Sequence, residues 1–270
     1  MSKTYKALIM IFTSLALAMS GIIIAYILFK GVANISSDLF KLKYTSENVS
    51  IIPALISTFF TIVLSLLIAL PIGIFTAIYL SQYAKNKVFI RAVRFSTEIL
   101  SSIPSIVYAL FGYLFFVTST GLGLGMGFSL IAGCFTVAIM VLPTIIRTTE
   151  EAILTVNPFQ AHASLALGAT KIQTIFKVVL PEAMDGILGG IFLSTGRIVG
   201  ESAALIYTMG TDAQIPKSLF NSARTMAVHM YVLASEGFHV KEAYATAVIL
   251  LVFVMGINFL SVKISKKLLG

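Results

Sequence analysis

ILSSIPSIVYALFGYLFFVTSTGLGLGMGFSLIAGCFTVAIMVLPTII, residues 99–146, contains no charged side chain. Glu98 precedes it and Arg147 follows it. These 48 uncharged residues are too many for one membrane crossing, which uses about 20. Near the middle, TSTGLGLGMGFS (118–129) sets Gly121, Gly123, Gly125 and Gly127 at alternate positions. Such spacing makes a poor helix interior. The stretch therefore predicts two spans, about 101–118 and 128–147, joined by a tight turn. It is not a nucleotide loop, because it follows no strand and lacks the Gly-Lys-Ser/Thr ending of a phosphate-binding loop.

Outward from this stretch the pattern repeats. Residues 8–29 carry no charge and follow Lys3 and Lys6. The run is long for a cleaved signal segment and reads as a retained anchor. No charge lies between Glu47 and Lys85, which predicts a span at about 54–83 containing Pro71. Spans at about 183–207 and 243–262 bring the set to six. Composition agrees: the chain is 58% hydrophobic and 11% charged, against about 25% charged for a soluble domain. That is too little charge to coat a soluble surface. The expected fold is all-α, a polytopic membrane protein of six transmembrane helices forming one permease domain over 1–270.

The net charge of +8 raises the question of nucleic acid. The basic residues, however, sit in short loops between apolar spans, and no basic stripe or groove-reading motif is present. With the N-terminus inside, 12 Lys and Arg fall on the cytoplasmic side and six outside, Arg197 being counted on neither. The excess predicts cytoplasmic N- and C-termini. A single cysteine, Cys134, excludes an intrachain disulfide, and three scattered histidines make no metal cluster.

The longest inner loop, about 148–181, is patterned. Asn157, Pro158 and Gln160 read as cap, first helical residue and reciprocal partner. Gly168 suits the left-handed end of that short helix. Thr170, Lys171, Ile172 and Gln173 read as a second capping box. Behind it Ile172, Ile175, Phe176 and Val179 form an apolar stripe, and Pro181 ends the pattern. Two readings stay open here: a helix pair lying in the lipid headgroups, or a docking element for a cytoplasmic partner.

TGRIVGESAAL, 195–205, places Arg197 and Glu201 in span five. Four apart on a helix, they share a face and can pair. A charge inside a membrane costs several kcal/mol, so the two face protein or water rather than lipid. They either lock helices together or line a polar path, where Glu201 would neutralise Arg197. Arg147 and Glu150, three apart at the inner end of span four, read as a secondary ion pair. Ser102, Pro104 and Ser105 begin span three as a cap and kink, or place two hydroxyls at an inner gate.

The order Ala163, Gly168, Leu180-Pro181 resembles the "EAA" loop of binding-protein-dependent ABC importer permeases. HASLALGATKIQTIFKVVLP (162–181) fits its spacing, with His162 in place of the family's Glu and Ser164 in place of its second Ala. VLPTIIRTTEEAILTVNP (141–158), SIPSIVYALFGYLFF (102–116), GIFTAIYLSQYA (73–84) and GRIVGESAAL (196–205) resemble the PstA phosphate permeases, over about 50–265. The resemblance implies an ABC type I importer permease fold in the cell membrane of a prokaryote. It implies coupling to an ATPase through Gln160, His162, Ala163, Gly168, Ala169, Thr170, Lys171, Leu180 and Pro181, and a transport role for Arg197 and Glu201. It also implies a sister permease PstC, an ATPase PstB dimer that binds ATP and Mg, and an extracellular phosphate-binding protein PstS. This chain has no ATP-binding loop and is expected to hold no cofactor and to be no enzyme. A PstC-type subunit, a permease for another oxyanion, and an ATP-independent anion channel or carrier are the alternatives.

Overall fold

The computed structural model of the chain describes residues 3–121 and 123–269. Among the described residues there is no strand. Helix α1 is Lys3–Val32 and α2 is Ile52–Ile78, extended by a π-helical turn at Tyr79–Tyr83. Then follow α3 (Lys87–Ser102), α4 (Ser105–Gly112, with a π turn Tyr113–Val117) and α5 (Leu130–Thr155). Short α6 (Pro158–Ala166), α7 (Lys171–Thr174) and α8 (Leu180–Glu182) lead into α9 (Met184–Gly200) and α10 (Ala203–Thr208). Helices α11 (Met226–Glu236) and α12 (Val240–Leu269) close the chain.

Among the described residues, four helices are long and apolar enough to cross a membrane: Tyr5–Val32, Ile52–Tyr83, Leu130–Thr155 and Val240–Phe259. They match four of the six expected spans. The other two are not among them. The stretch expected as span three, 101–118, holds Ser105–Val117, and α3 before it meets that segment at a 99° bend between Ser102 and Ser105. Pro104 is the cause, because it drives the residue before it out of the helical region, and Ile103 is extended at φ −66°, ψ 130°. Span five breaks between α9 and α10. The glycine turn is as expected: Leu124, Gly125, Met126 and Gly127 donate backbone N–H groups to Phe115, Thr118, Phe116 and Val117 carbonyls.

Helix α5 is central. Val137, Met140 and Val141 on it are fully buried. In lipid, helices associate by close approach at small residues rather than by hiding apolar surface from water. Gly73 of α2 is one such point, where an added Cβ would lie 2.6 Å from Ile145 Cγ2. Gly190 of α9 is another, against the Thr148 side chain. Ser65 Oγ donates to the Cys134 carbonyl at 3.2 Å, fixing α2 to α5. Helix α1 is peripheral, touching α12 where Gly31 lies on Tyr244 and the Tyr26 and Tyr244 rings meet edge to face.

The bundle has two ends. At one, α5 runs into the 157–181 loop, and Lys171 Nζ donates to the Gln82 carbonyl at the end of α2. At the other, Leu130 N donates to Asn221 O at 2.9 Å and Met226 N to Thr58 Oγ1 at 2.9 Å. This second end carries a buried cluster. Arg224 lies 4.6 Å over the Tyr44 ring, and His229, 0% exposed, meets the same ring edge-on.

Burial, with the Arg224 charge beside it, pushes the His229 imidazole from 6.5 down to about 3. The folded state thus binds the proton more weakly than the unfolded chain. Stability from this site is complete above pH 6.5 and is lost as pH falls from there toward 3, by at most about 1.4 kcal/mol per pH unit. Thermal unfolding in detergent from pH 7.5 to 4.5 is expected to show a steeper acid loss for the wild type than for His229→Gln. Parallel curves would remove His229 as the cause.

Candidate functional site

The α9 helix ends at Gly200, and the next residue leaves the helical region, with Glu201 at φ −74°, ψ 128°. Glu201 is 8% exposed. Its carboxylate Oε1 accepts the backbone N–H of Ala204 at 3.0 Å, so it caps α10. Arg197 stays on α9, one turn before the break, and is partly exposed. Among the described residues no ion pair joins the two. The expected i, i+4 pairing is corrected. It requires a continuous helix, and the helix stops between the two residues. The guanidinium therefore stands without a carboxylate partner, about 20 Å along α9 from Met184.

Tyr108 belongs to α4, the helix that follows the bend. It is 4% exposed, and its hydroxyl donates to the Leu100 carbonyl at 2.7 Å, bracing the α3–α4 corner from inside. Tyr108 thus fixes the corner that holds Ser102 and Ser105. Sequence reasoning passed over it, since one tyrosine among apolar residues carries no spacing signal. Ser102 closes α3 rather than opening α4, and its hydroxyl donates to Ile99 O at 2.8 Å. Ser102 is exposed and Ser105 partly so.

The Arg147–Glu150 pair is also corrected. Arg147 Nε pairs with Glu151 at 3.0 Å, while Glu150 receives Arg94 Nε at 3.0 Å and Nη2 at 2.6 Å. Glu150 faces inward across α5 and its side chain is only 8% exposed. Arg147 points outward and finds the carboxylate one residue further on. Arg94 hangs from α3, which the 99° bend lays across the end of α5.

The loop that follows is built much as its sequence predicts. Asn157 caps α6 by accepting Phe159 N at 3.0 Å, but no return bond comes from Gln160. Gly168 takes the left-handed conformation at φ +87°. The Thr170/Gln173 capping box is complete. Ser164 Oγ and Thr174 Oγ1, 3.0 Å apart, hold α6 against α7. The apolar stripe behind the box divides. Ile175 and Val179 are buried, whereas Ile172 and Phe176 are 62% and 50% exposed. The π turn Ile175–Val179 shifts the register. Pro181 does not end the helical pattern. Helical backbone runs through it from the π turn to Glu182. His162, Ala163, Leu167 and Phe159 are exposed, presenting α6 at the end of the bundle. Among the described residues no group of His, Cys, Asp and Glu is set to hold a metal.

Long apolar helices and an exposed, doubly capped loop at one end fit a membrane-spanning subunit. The chain belongs to the family described as binding-protein-dependent transport system inner membrane component, whose model matches residues 69–269. It is similar to the probable ABC transporter permease protein YqgI of Bacillus subtilis, 32% identical over 90% of this chain and 89% of that one. The phosphate transport system permease protein PstA of Haemophilus influenzae is 30% identical over 95% and 92%. Among solved structures, a chain of a bacterial alginate ABC transporter superposes with a TM-score of 0.71 at 17% identity, over 99% of each chain. A chain of the inward-facing MetNI methionine ABC transporter superposes at 0.61 with 22% identity, over 91% and 97%. The chain is thus an importer permease, a membrane-spanning component and not an enzyme.

The Arg94–Glu150 bridge gives a graded test. Arg94→Ala leaves a buried carboxylate without its partner, whereas Glu150→Gln leaves a half-exposed cation that water can reach. Thermal unfolding is expected to rank the losses Arg94→Ala above Glu150→Gln, at about 1–3 kcal/mol for the first. Arg147→Ala, from an exposed pair, is expected to lose less than about 0.5 kcal/mol. Equal losses for Arg94→Ala and Arg147→Ala would contradict this reading of the corner.

Proposed function

We propose that this chain is the PstA-type permease subunit of an ATP-driven importer of inorganic phosphate, and that Arg197 contacts the anion on its path. The observation that carries the proposal is the unpaired, partly exposed guanidinium beside the α9–α10 break. The PstA names of several relatives supply the substrate. A guanidinium holds an oxyanion through two parallel hydrogen bonds. Glu201 serves the path by fixing the break rather than by neutralising Arg197, because its carboxylate is committed to Ala204. With no carboxylate gripping it, Arg197 is free to hold and release an anion briefly, as conduction requires. Ser102 and Ser105, at the corner braced by Tyr108, lie on the same path in this reading.

The chain forms half of the translocation path as one permease domain, with six crossings and cytoplasmic termini. The sister permease PstC supplies the other half. Loop 158–181 docks on a PstB ATPase dimer, which holds ATP and Mg, and PstS delivers phosphate from outside. Exposed Phe159, His162 and Ala163 on α6 suit that docking, and the Lys171 bond to Gln82 passes the motion to α2. The two membrane subunits then rock between inward- and outward-facing states around the path.

Arg197→Ala is expected to lower phosphate uptake by about 10–100-fold in a complex that still assembles, the range for losing a charge-assisted hydrogen bond. Near-normal uptake in the assembled complex would remove Arg197 from the path. Loss of assembly would make it a helix lock instead. Reconstituted ATP hydrolysis is expected to rise with phosphate and not with sulfate or molybdate.

A further inference from the structure

Away from Arg197, at the end of the bundle opposite the ATPase-docking loop, a second arginine lacks a partner. Arg224 is 4% exposed, and its Nε and Nη2 make no hydrogen bond. Neither ring nitrogen of His229 meets hydrogen-bond geometry, though the Val49 backbone lies close enough to favour the protonated ring. The two side chains flank one ring, that of Tyr44, at 4.6 Å and 6.1 Å. No carboxylate pairs with Arg224 among the described residues.

Three features concentrate positive potential here. One is the guanidinium. The second is the N-terminus of α11, an 11-residue helix capped by Thr225 next to Arg224, the dipole end that favours anions and disfavours cations. The third is the imidazole, whose N–H is a donor. A cation–π contact offsets only part of the cost of a buried guanidinium. The wall opposite is held stiffly. Asn48 Oδ1 accepts from Thr45 N and Ser50 N, and this knot keeps buried Val49 at φ +45°. A β-branched residue rarely adopts that conformation, and such strain persists where the surroundings enforce it. A cavity of about 200 Å³ is lined by Asp212, Gln214, Ile215, Pro216, Lys217, Asn221 and Ser222. Gln214 donates to the Tyr44 carbonyl at 3.1 Å.

We propose that Arg224, His229 and the N-terminal end of α11 form a second anion site, which takes a small tetrahedral oxyanion at the end of the permease opposite its ATPase. The guanidinium donates through Nε and Nη2 and the imidazole through one nitrogen, so a single oxyanion satisfies the unpartnered donors together. That the oxyanion is phosphate rests on the import reading above; the site itself does not. Such a site would hold the anion at the entrance before it reaches Arg197.

The test uses the full permease complex with ring-labelled histidine, without ATP. His229 is assigned by substituting His162 and His239. Titration with inorganic phosphate is expected to move the His229 resonance saturably, in the wild type and in Arg197→Ala alike. Arg224→Gln is expected to weaken that response at least about tenfold, and Arg224→Lys less. Chloride at equal ionic strength is expected to leave the resonance in place. No movement in the wild type up to tens of millimolar phosphate and sulfate would overturn the site, as would an equal response to chloride. A response to sulfate alone would keep the oxyanion site and count against phosphate as the cargo. Because Arg197→Ala keeps the response, failure of the path assignment shows separately, in uptake.

Discussion

One hydrogen bond organises the centre of this molecule: the Glu201 carboxylate on the Ala204 N–H. A buried carboxylate four residues after an arginine would ordinarily close an ion pair on an intact helix. Here it caps the following helix, and the helix between the two residues is interrupted. The break does two things at once. It satisfies a charge that would otherwise be costly inside a membrane, and it leaves Arg197 without a local counter-ion. An anion path needs a cation with that property. A structural ion pair would not have provided it.

The rest of the bundle holds this point in place. Helix α5 is packed on α2 and α9 at glycines that allow close approach, Gly73 against Ile145 and Gly190 against Thr148. The α3–α4 corner, turned by Pro104 and braced by Tyr108, packs on α5 and α10. Arg94 ties α3 to Glu150, about one and a half turns from the end of α5 at Thr155.

Much of this was legible in the residues. Uncharged runs located the helical segments, because a bilayer core admits few charges. Capping residues located both short helices of the inner loop, because Asn157, Thr170 and Gln173 act locally. What stayed hidden depends on tertiary partners. In sequence Glu150 has only Arg147 within one helical turn, and the packing of α3 gives it Arg94 instead. The break at Glu201 has no proline to announce it. Tyr108 shows no pattern, since its role comes from the corner it spans. The π turns at Tyr79, Tyr113 and Ile175 leave no mark in apolar periodicity and shift which residues of the inner loop are exposed.

The central claim is that position 197 faces water rather than a dry helix contact. Cys134, the chain's single cysteine, is fully buried, so a cysteine introduced there can be followed without background. In the assembled complex, Arg197→Cys is expected to react with a charged, water-soluble thiol reagent in at least one nucleotide state, while Ser194→Cys, at a buried position on the same helix, stays unreactive throughout. Protection of position 197 in every nucleotide state, to the level of position 194, would contradict the account.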